Sequence, residues 1–184
     1  MDRVRIDLLE SGRGLSTPIA LGVIDGLWEN EEGMIICSRQ EDLSFSTDLI
    51  AGQERIVLGR SYNIRKGRDI CICDSEKGEK KTVAAVSGNT IILSSPLDFS
   101  YAKKETSLFL LREISLFLDK NSCIVRRKVN ASPSQPLLEN VAAFDYHYDR
   151  EANLVRIHLA LKDKKEKNHE IHIFPKNMAL AVPR

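Results

Sequence analysis

The first 27 residues carry apolar side chains at the spacing of an α-helix. The four strongest positions are separated by seven, four and four residues, so a helix would place them on one face. Pro18 removes a backbone donor and crowds the preceding turn, so we expect a kink there or a second helix capped by Ser16 or Thr17. The sequence therefore predicts a helical region over 1–27 that packs its apolar face on a sheet. The predicted packing residues are Leu8, Leu15, Ile19 and Val23.

From residue 33 onward the apolar residues form short runs and alternating stretches that indicate β-strands. The stretch LVRIHLAL is the clearest case, because Val155, Ile157 and Leu159 alternate with Arg156 and His158. Such alternation is typical of a strand with one buried side and one side in water. The segment beyond residue 33 is therefore expected to be a series of mostly antiparallel strands.

These strands fall into two groups separated by turn signals. We predict an inserted β-meander over 61–101 and a C-terminal antiparallel sheet over 107–180, which opens with a hairpin over 107–129. With the helical region, they make one domain over 1–184. The predicted fold class is α+β, with an N-terminal helix packed on a mostly antiparallel β-sheet.

Composition places the chain among ordinary globular proteins. Of its 184 residues, 42% are hydrophobic and 29% are charged, and the formal net charge is +1. A nucleic-acid-binding protein often has a clear basic excess, so the near-neutral balance disfavours nucleic acid as a partner without removing it as an alternative. No run of about 18 apolar residues marks a membrane-spanning helix.

Four cysteines leave two interpretations open. They are either buried free thiols or members of one or two disulfides, and four cysteines allow three connectivities. Cys71 and Cys73 share one face of a predicted strand, so they are not expected to bond to each other. Their spacing fits no common zinc pattern. The candidate cysteines are Cys37, Cys71, Cys73 and Cys123.

The chain contains none of the common catalytic or phosphate-binding motifs. SGRG at 11–14 lies within the helical pattern rather than after a strand, so it does not indicate a phosphate loop. We therefore expect no catalytic residues, no cofactor and no small-molecule substrate, and interpret the protein as not an enzyme.

Two groups of side chains have a metal-binding interpretation. Asp145, Asp149 and Glu151 surround a predicted turn and offer oxygens to a calcium ion, although acidic residues in turns also bond to the backbone. His158 and His172 are predicted on neighbouring strands, but no third ligand is evident. We expect no bound metal, and keep the three acidic residues as a weak calcium candidate.

Three basic clusters could contact phosphate groups. Acidic residues lie near the first and third, and no aromatic residues interleave with any of them, so solvated charge is the expected role. The candidates that we retain for contact with a polyanion are Arg126, Arg127 and Lys128. The other two clusters are Arg60, Arg65, Lys66 and Arg68, and Lys162, Lys164, Lys165 and Lys167.

The order of motifs in the C-terminal half resembles a known family. EISLFLDKNSCIVRRKV, followed after a loop by QPLLENVAAFDYHYD and NLVRIHLALKDK, resembles PilW-type minor pilins of type IV pili. PulJ-type pseudopilins of type II secretion share this plan. Upstream, residues 67–97 resemble the family's inserted β-meander, and residues 5–23 resemble the latter part of its long helix. The residues that carry the resemblance are Asp119-Lys120-Asn121, Arg126-Arg127, Pro136 to Val141, Phe144, Tyr146, Tyr148 and Val155-Arg156-Ile157.

This resemblance implies a pilin-like fold that lacks the membrane half of its N-terminal helix. The implied function is that of a minor pilin, which helps to initiate assembly of a type IV pilus and caps it through protein–protein contacts. A minor pseudopilin of type II secretion and an extracellular module that binds DNA or a surface are the alternatives. The implied partners are other minor pilins or pseudopilins and, through the missing segment, the inner membrane. The implied location is the periplasmic or extracellular face, where disulfides are common.

Overall fold

The computed structural model describes residues 1–31, 33–162 and 168–179. Within these ranges the chain forms three short helices and twelve β-strands. The helices are α1 (Asp2–Leu9), α2 (Ser16–Ala20) and α3 (Lys176–Ala179). The strands are β1 (Leu27–Asn30), β2 (Gly33–Asp42), β3 (Arg55–Val57), β4 (Asp69–Cys73), β5 (Gly78–Ser87), β6 (Thr90–Leu93), β7 (Ser107–Asp119), β8 (Ile124–Val129), β9 (Gln135–Leu138), β10 (Val141–Asp149), β11 (Leu154–Leu161) and β12 (Asn168–Ile173).

The strands form two antiparallel sheets. The larger sheet has nine strands, seven of them in the order β1-β2-β7-β4-β5-β6-β3, and β8 joins it beside β7 with β9 on its outer side. The smaller sheet has the order β10-β11-β12. The predicted meander therefore joins the large sheet through the pairing of β4 with β7, and the predicted C-terminal strands are divided between the two sheets.

Strand β7 holds the large sheet together. One of its edges pairs with β2 along most of its length, from Phe109 to Leu116. The opposite edge pairs first with β4, over Ser107 to Leu110, and then with β8, over Ile114 to Asp119. As a result, the start of β4 and the end of β8 meet end to end along β7.

Three apolar clusters form the core. The first lies between the large and small sheets, where Val4 and Leu8 of α1 pack beside residues such as Leu116 and Ile157. The second fills the lobe built from β3 to β6 and the segments around them. The third joins Leu15 to the cysteine-bearing faces of β2 and β4. Burial of these side chains is the main driving force for both sheets.

The helical region predicted over 1–27 is not continuous, because α1 ends at Leu9 and a second short helix, α2, begins at Ser16. Gly12 and Gly14 adopt positive φ angles of 70° and 69°, where glycine has no steric penalty. The backbone of this segment pairs with β2, since Gly12 N–H donates to the Cys37 carbonyl at 2.8 Å and Arg39 N–H donates to the Arg13 carbonyl at 2.9 Å. The interrupting glycines therefore outweigh the apolar periodicity.

The four predicted packing residues are all at least partly buried, but they do not lie on one helix. Leu8 belongs to α1 and packs in the first cluster, whereas Leu15 precedes α2 and packs in the third. Ile19 contacts both clusters, and Val23 follows α2 at the edge of the third. The pattern identified buried positions correctly and assigned them to the wrong element.

The pilin-like fold is therefore wrong. A pilin-like arrangement requires a long N-terminal helix packed along a sheet, and here α1 has eight residues and α2 has five. The described chain is a β-rich protein with short helices at its two ends. No helix within the described ranges is long and apolar enough to cross a membrane.

Candidate anion-binding cleft

A cleft of about 490 Å³ lies where β4 and β8 meet along β7. One wall is the loop that leads into β4, and the other is the turn between β8 and β9. We call it the junction cleft. Its lining residues are Gln40, Asn63, Arg65, Lys66, Arg68, Val129, Asn130, Ala131, Ser132 and Pro133.

Arg68 is fixed at the junction by neutral acceptors. Its Nη2 donates to Gln40 Oε1 at 2.6 Å and to the Leu111 carbonyl at 2.8 Å. Nε is buried without a partner, and Nη1 makes no hydrogen bond to any described residue. No carboxylate of the described chain lies within ion-pair distance of this guanidinium. Its positive charge is therefore held in place but not neutralised by a neighbour.

Burial disfavours the charged form of Arg68. Desolvation lowers the pKa of Arg68, and the electrostatic attraction of Asp69 raises it by a smaller amount. Arginine still stays protonated at neutral pH, because its ordinary pKa exceeds about 12. An anion that enters the cleft would compensate the charge, and hydrogen bonds to a charged group contribute about 1.5–3 kcal/mol each.

Two more cations line the same cleft. Arg65 and Lys66 are exposed, and neither makes an ion pair with a described residue. No Asp or Glu occurs among the ten lining residues. Arg60 belongs to the same cluster in sequence but lies outside the cleft, where its guanidinium stacks 4.7 Å from the Tyr62 ring centroid and lies 3.9 Å from Glu41. The cleft is thus positively charged on one wall.

The opposite wall is formed by the turn after β8. Asn130 completes the edge of β7 that neither β4 nor β8 covers, because its N–H donates to the Glu113 carbonyl and its Oδ1 accepts from Glu113 N–H at 2.9 Å. Its φ of 49° turns the chain at this point. Ser132 Oγ donates to the Val129 carbonyl at 2.6 Å. Apolar atoms of Val129, Ala131 and Pro133 complete this wall.

The structure separates the three residues predicted to contact a polyanion. Arg127 is buried and pairs with Asp7, and Arg126 Nε donates to Asp119 Oδ2 at 2.9 Å. Lys128 alone is exposed. Alternation along β8 sends neighbouring side chains to opposite faces, so the triplet does not form one basic surface. The structure therefore does not support joint contact of these three residues with a polyanion.

The cleft was visible in the sequence only as the cluster around Arg65 and Lys66, which we interpreted as solvated charge. The contribution of Asn130 and Ser132 had no sequence signal, because they follow Arg68 by more than 60 positions. Their proximity depends on how β4 and β8 pair with β7. Residues Lys164, Lys165 and Lys167 of the third basic cluster lie outside the described residues.

The four cysteines are free thiols. Cys37, Cys71 and Cys73 are buried in the third core cluster, whereas Cys123 is partly exposed in the β7–β8 turn. Burial is the largest effect on Cys37 and raises the pKa of its thiol to about 12. A hydrogen bond between the thiols of Cys71 and Cys73 raises the pKa of the first and lowers that of the second.

The calcium candidates do not converge. Asp145 and Asp149 lie on β10, and Asp149 Oδ1 accepts from Ala152 N–H at 2.9 Å, which is the local turn bond expected of such a residue. Glu151 is exposed in the turn that follows. Across the part of the chain that the structure describes, no group of three or more His, Cys, Asp and Glu side chains is arranged to hold a metal ion.

Three of the histidines, His147, His158 and His172, lie on the solvent-exposed face of the small sheet. His158 pairs in register with Asp145 on one side and Glu170 on the other, and Arg156 pairs with His147 and His172. His172 Nε2 lies 2.9 Å from Glu170 Oε1. His158 and His172 therefore occupy neighbouring strands as predicted, within a mixed charged surface.

Comparison with known proteins gives no family for this chain. No protein-family model matches it, and no curated protein matches it. Three solved structures resemble part of it, and all are phage tailspikes. The tailspike of Pseudomonas phage LKA1 is 26% identical over 38% of this chain and 14% of its own, with a TM-score of 0.35. The tailspike of Acinetobacter baumannii bacteriophage AP22, solved with a capsular saccharide, is 19% identical over 42% of this chain and 15% of its own, with a TM-score of 0.37.

The third, from Pseudomonas phage phi297, is 14% identical over 40% of this chain and 14% of its own, with a TM-score of 0.35. Each similarity spans about one seventh of a tailspike, and at these TM-scores it assigns neither a fold nor a ligand. The long helix of a pilin is absent from the described residues. The predictions of a minor pilin and a minor pseudopilin were therefore wrong, whereas the predicted partners stay untested predictions.

Proposed function

We propose that this chain is a non-enzymatic binding module that holds an anionic ligand in the junction cleft. The observation that carries the proposal is the environment of Arg68. Its guanidinium is half-buried, fixed by Gln40 and the Leu111 carbonyl, and has no carboxylate partner in the described chain. A charge in this state is stabilised most by an anion that arrives from solution.

The contrast with other buried charges supports this assignment. Arg127 is paired with Asp7, and Lys81 lies 2.9 Å from Glu79 and 2.7 Å from Asp98. The protein thus neutralises these charges internally. Arg68 meets an amide oxygen and a backbone carbonyl instead, and it faces a cleft with two more cations. This arrangement suits an external anion better than a structural ion pair.

The test is isothermal titration with tripolyphosphate and citrate at low ionic strength. The double variant Arg65→Gln/Lys66→Gln should bind about tenfold more weakly, because two charge-assisted contacts are lost. The matched control is Arg55→Gln/Lys104→Gln, which removes the same charge from two exposed sites outside the cleft. Its affinity should match the unmodified protein.

Two results would overturn the proposal. The first is the absence of binding to either anion at low salt. The second is an equal loss of affinity in the cleft variant and the control, since that would show a response to net charge alone. Affinity should also fall as salt is added, because screening weakens contacts between exposed charges.

A further inference from the structure

The uncharged side chains of the junction cleft narrow the chemistry of its ligand. Gln40 and Asn130 use their amide oxygens inside the protein, which leaves their NH₂ groups as donors. Ser132 uses its proton on the Val129 carbonyl, which leaves its oxygen as an acceptor. The amide of Asn63 makes no hydrogen bond to a described residue, so it offers both functions.

The acceptor oxygens of Ser132 and Asn63 distinguish anions that carry hydroxyl groups from anions that carry none. A fully ionised phosphate or sulfate has acceptor oxygens only, so the oxygens of Ser132 and Asn63 would have nothing to bind. A ligand that carries hydroxyl groups beside its anionic group would satisfy both the acceptors and the donors. Both side chains are exposed, so with a phosphate their oxygens would keep water, whereas a hydroxylated ligand gains a direct hydrogen bond to each.

Two further features agree with a hydroxylated ring. The aliphatic atoms of Val129, Ala131 and Pro133 provide an apolar surface for ring C–H groups. The volume of about 490 Å³ lies in the range of roughly 300–1,000 Å³ that small ligands occupy. No aromatic residue lines the cleft, so nucleobases would find no surface on which to stack.

We propose that the ligand of the junction cleft is an acidic saccharide. Its carboxylate binds Arg68 with help from Arg65 and Lys66, and its hydroxyls bond to Asn63 and Ser132. This inference rests on the proposed anion-binding function and specifies the ligand class within it.

The experiment compares three soluble probes by isothermal titration at low ionic strength. Trigalacturonate carries carboxylates and hydroxyls, tripolyphosphate carries charge without sugar hydroxyls, and maltotriose carries hydroxyls without charge. We expect trigalacturonate to bind about tenfold more tightly than tripolyphosphate, and maltotriose to give no measurable binding.

Paired variants test the role of the acceptors. Asn63→Ala/Ser132→Ala should weaken trigalacturonate about fivefold and tripolyphosphate by clearly less, because only the saccharide can use the acceptor oxygens of both side chains. The control Ser75→Ala/Asn121→Ala changes the same residue types at exposed sites outside the cleft and should leave both affinities unchanged.

The contrary outcomes separate this inference from the function on which it rests. If tripolyphosphate or a short oligothymidylate binds more tightly than trigalacturonate and the affinity depends on Arg65 and Lys66, the saccharide inference is wrong and anion binding stands. Equal loss of trigalacturonate affinity in the acceptor variant and its control would also refute the saccharide. If no anion binds, or maltotriose binds as well as trigalacturonate, both proposals fall.

Discussion

Asp7 and Arg127 form a two-point ion pair in the protein interior, although 120 positions separate them in the chain. Arg127 Nε donates to Asp7 Oδ2, and Nη2 donates to Oδ1 at 3.0 Å. The two side chains are 1% and 6% exposed. Because Asp7 lies on α1 and Arg127 on β8, this pair fixes the helix against the large sheet. It also explains why Arg127 is not available to a polyanion.

Removal of one partner should destabilise the protein strongly. Asp7→Asn leaves Arg127 buried without its carboxylate, and breaking a buried pair in this way costs about 3–5 kcal/mol of unfolding free energy. Urea denaturation measures the change. Replacement of both partners, as in Asp7→Leu/Arg127→Met, should cost less than the single change, since the buried Arg127 charge is removed and only the more exposed Arg3 and Arg112 lose a nearby carboxylate.

The control for this pair is Arg150→Gln, which breaks the exposed contact between Arg150 and Asp25. Exposed ion pairs contribute about 0–1 kcal/mol, so this variant should be close to the unmodified protein. A loss in Asp7→Asn no greater than that of the control would show that the buried pair does not anchor α1.

Two tyrosines should respond oppositely to the loss of their hydroxyl groups. Tyr101 is 2% exposed, and its hydroxyl lies near the Glu79 carboxylate without a well-aligned hydrogen bond to a described residue. Tyr148 is half-buried, and its hydroxyl donates to Asn153 Oδ1 at 3.1 Å. Tyr101→Phe should leave stability unchanged or raise it by about 1 kcal/mol, whereas Tyr148→Phe should lower it by about 1 kcal/mol. Thermal and urea unfolding would show the difference, and equal destabilisation by both would contradict it.

The thiols should differ in reactivity according to burial. Iodoacetamide at mildly alkaline pH should label Cys123 first, because Cys37, Cys71 and Cys73 are buried in the third core cluster. Burial also raises the pKa of Cys37 to about 12, so its thiolate is scarce at that pH. Mass spectrometry of the labelled native protein would follow the order, and all four should react after unfolding. Labelling of Cys37 as fast as Cys123 would contradict the burial of β2.

The β7–β8 turn should weaken in acid through Asp119. Hydrogen bonds from Ser122 and Arg126 lower its pKa from 3.8 to about 2. A carboxylate with a depressed folded-state pKa stabilises the fold fully above its unfolded pKa, and this contribution is lost as the pH falls from about 4 to about 2. An NMR titration of the Asp119 carboxyl carbon should give an apparent pKa near 2.

Variants define the source of this shift. Ser122→Ala and Arg126→Gln should each move the Asp119 pKa upward, because each removes a hydrogen bond to the charged form. Lys120→Gln changes an exposed charge in the same turn and serves as the control. An Asp119 pKa near 3.8 in the unmodified protein would show that the turn does not bind this carboxylate.

Local patterns in the sequence predicted the strands better than the packing. Alternation located β11, where Val155, Ile157 and Leu159 are buried and Arg156 and His158 are exposed. The β7–β8 hairpin is confirmed, since Asp119 Oδ1 accepts from the N–H groups of Asn121 and Ser122. Both features depend on neighbours within a few residues. The C-terminal sheet predicted over 107–180 ends earlier than expected, because β12 ends at Ile173 and Pro175 precedes α3.

Features that depend on distant residues were missed. Asp7 was one polar position in a helical pattern, and only the fold shows that it meets Arg127. The junction cleft likewise forms only because the start of β4 meets the end of β8 along β7, which brings Arg68 near Asn130. The apolar spacing from Leu8 to Leu15 continued across Gly12, so helix was predicted through residues 10–14, where the backbone pairs with β2 instead.

In the proposed function, Arg68 keeps its charge available because Gln40 holds it through a neutral oxygen. Titration of tripolyphosphate into Gln40→Glu tests this dependence, since a carboxylate at position 40 would neutralise Arg68 in place. Gln53→Glu is the control, because Gln53 Oε1 also accepts a hydrogen bond and lies outside the cleft. We predict that Gln40→Glu binds at least about tenfold more weakly than Gln53→Glu. Equal affinities in the two variants would contradict the account.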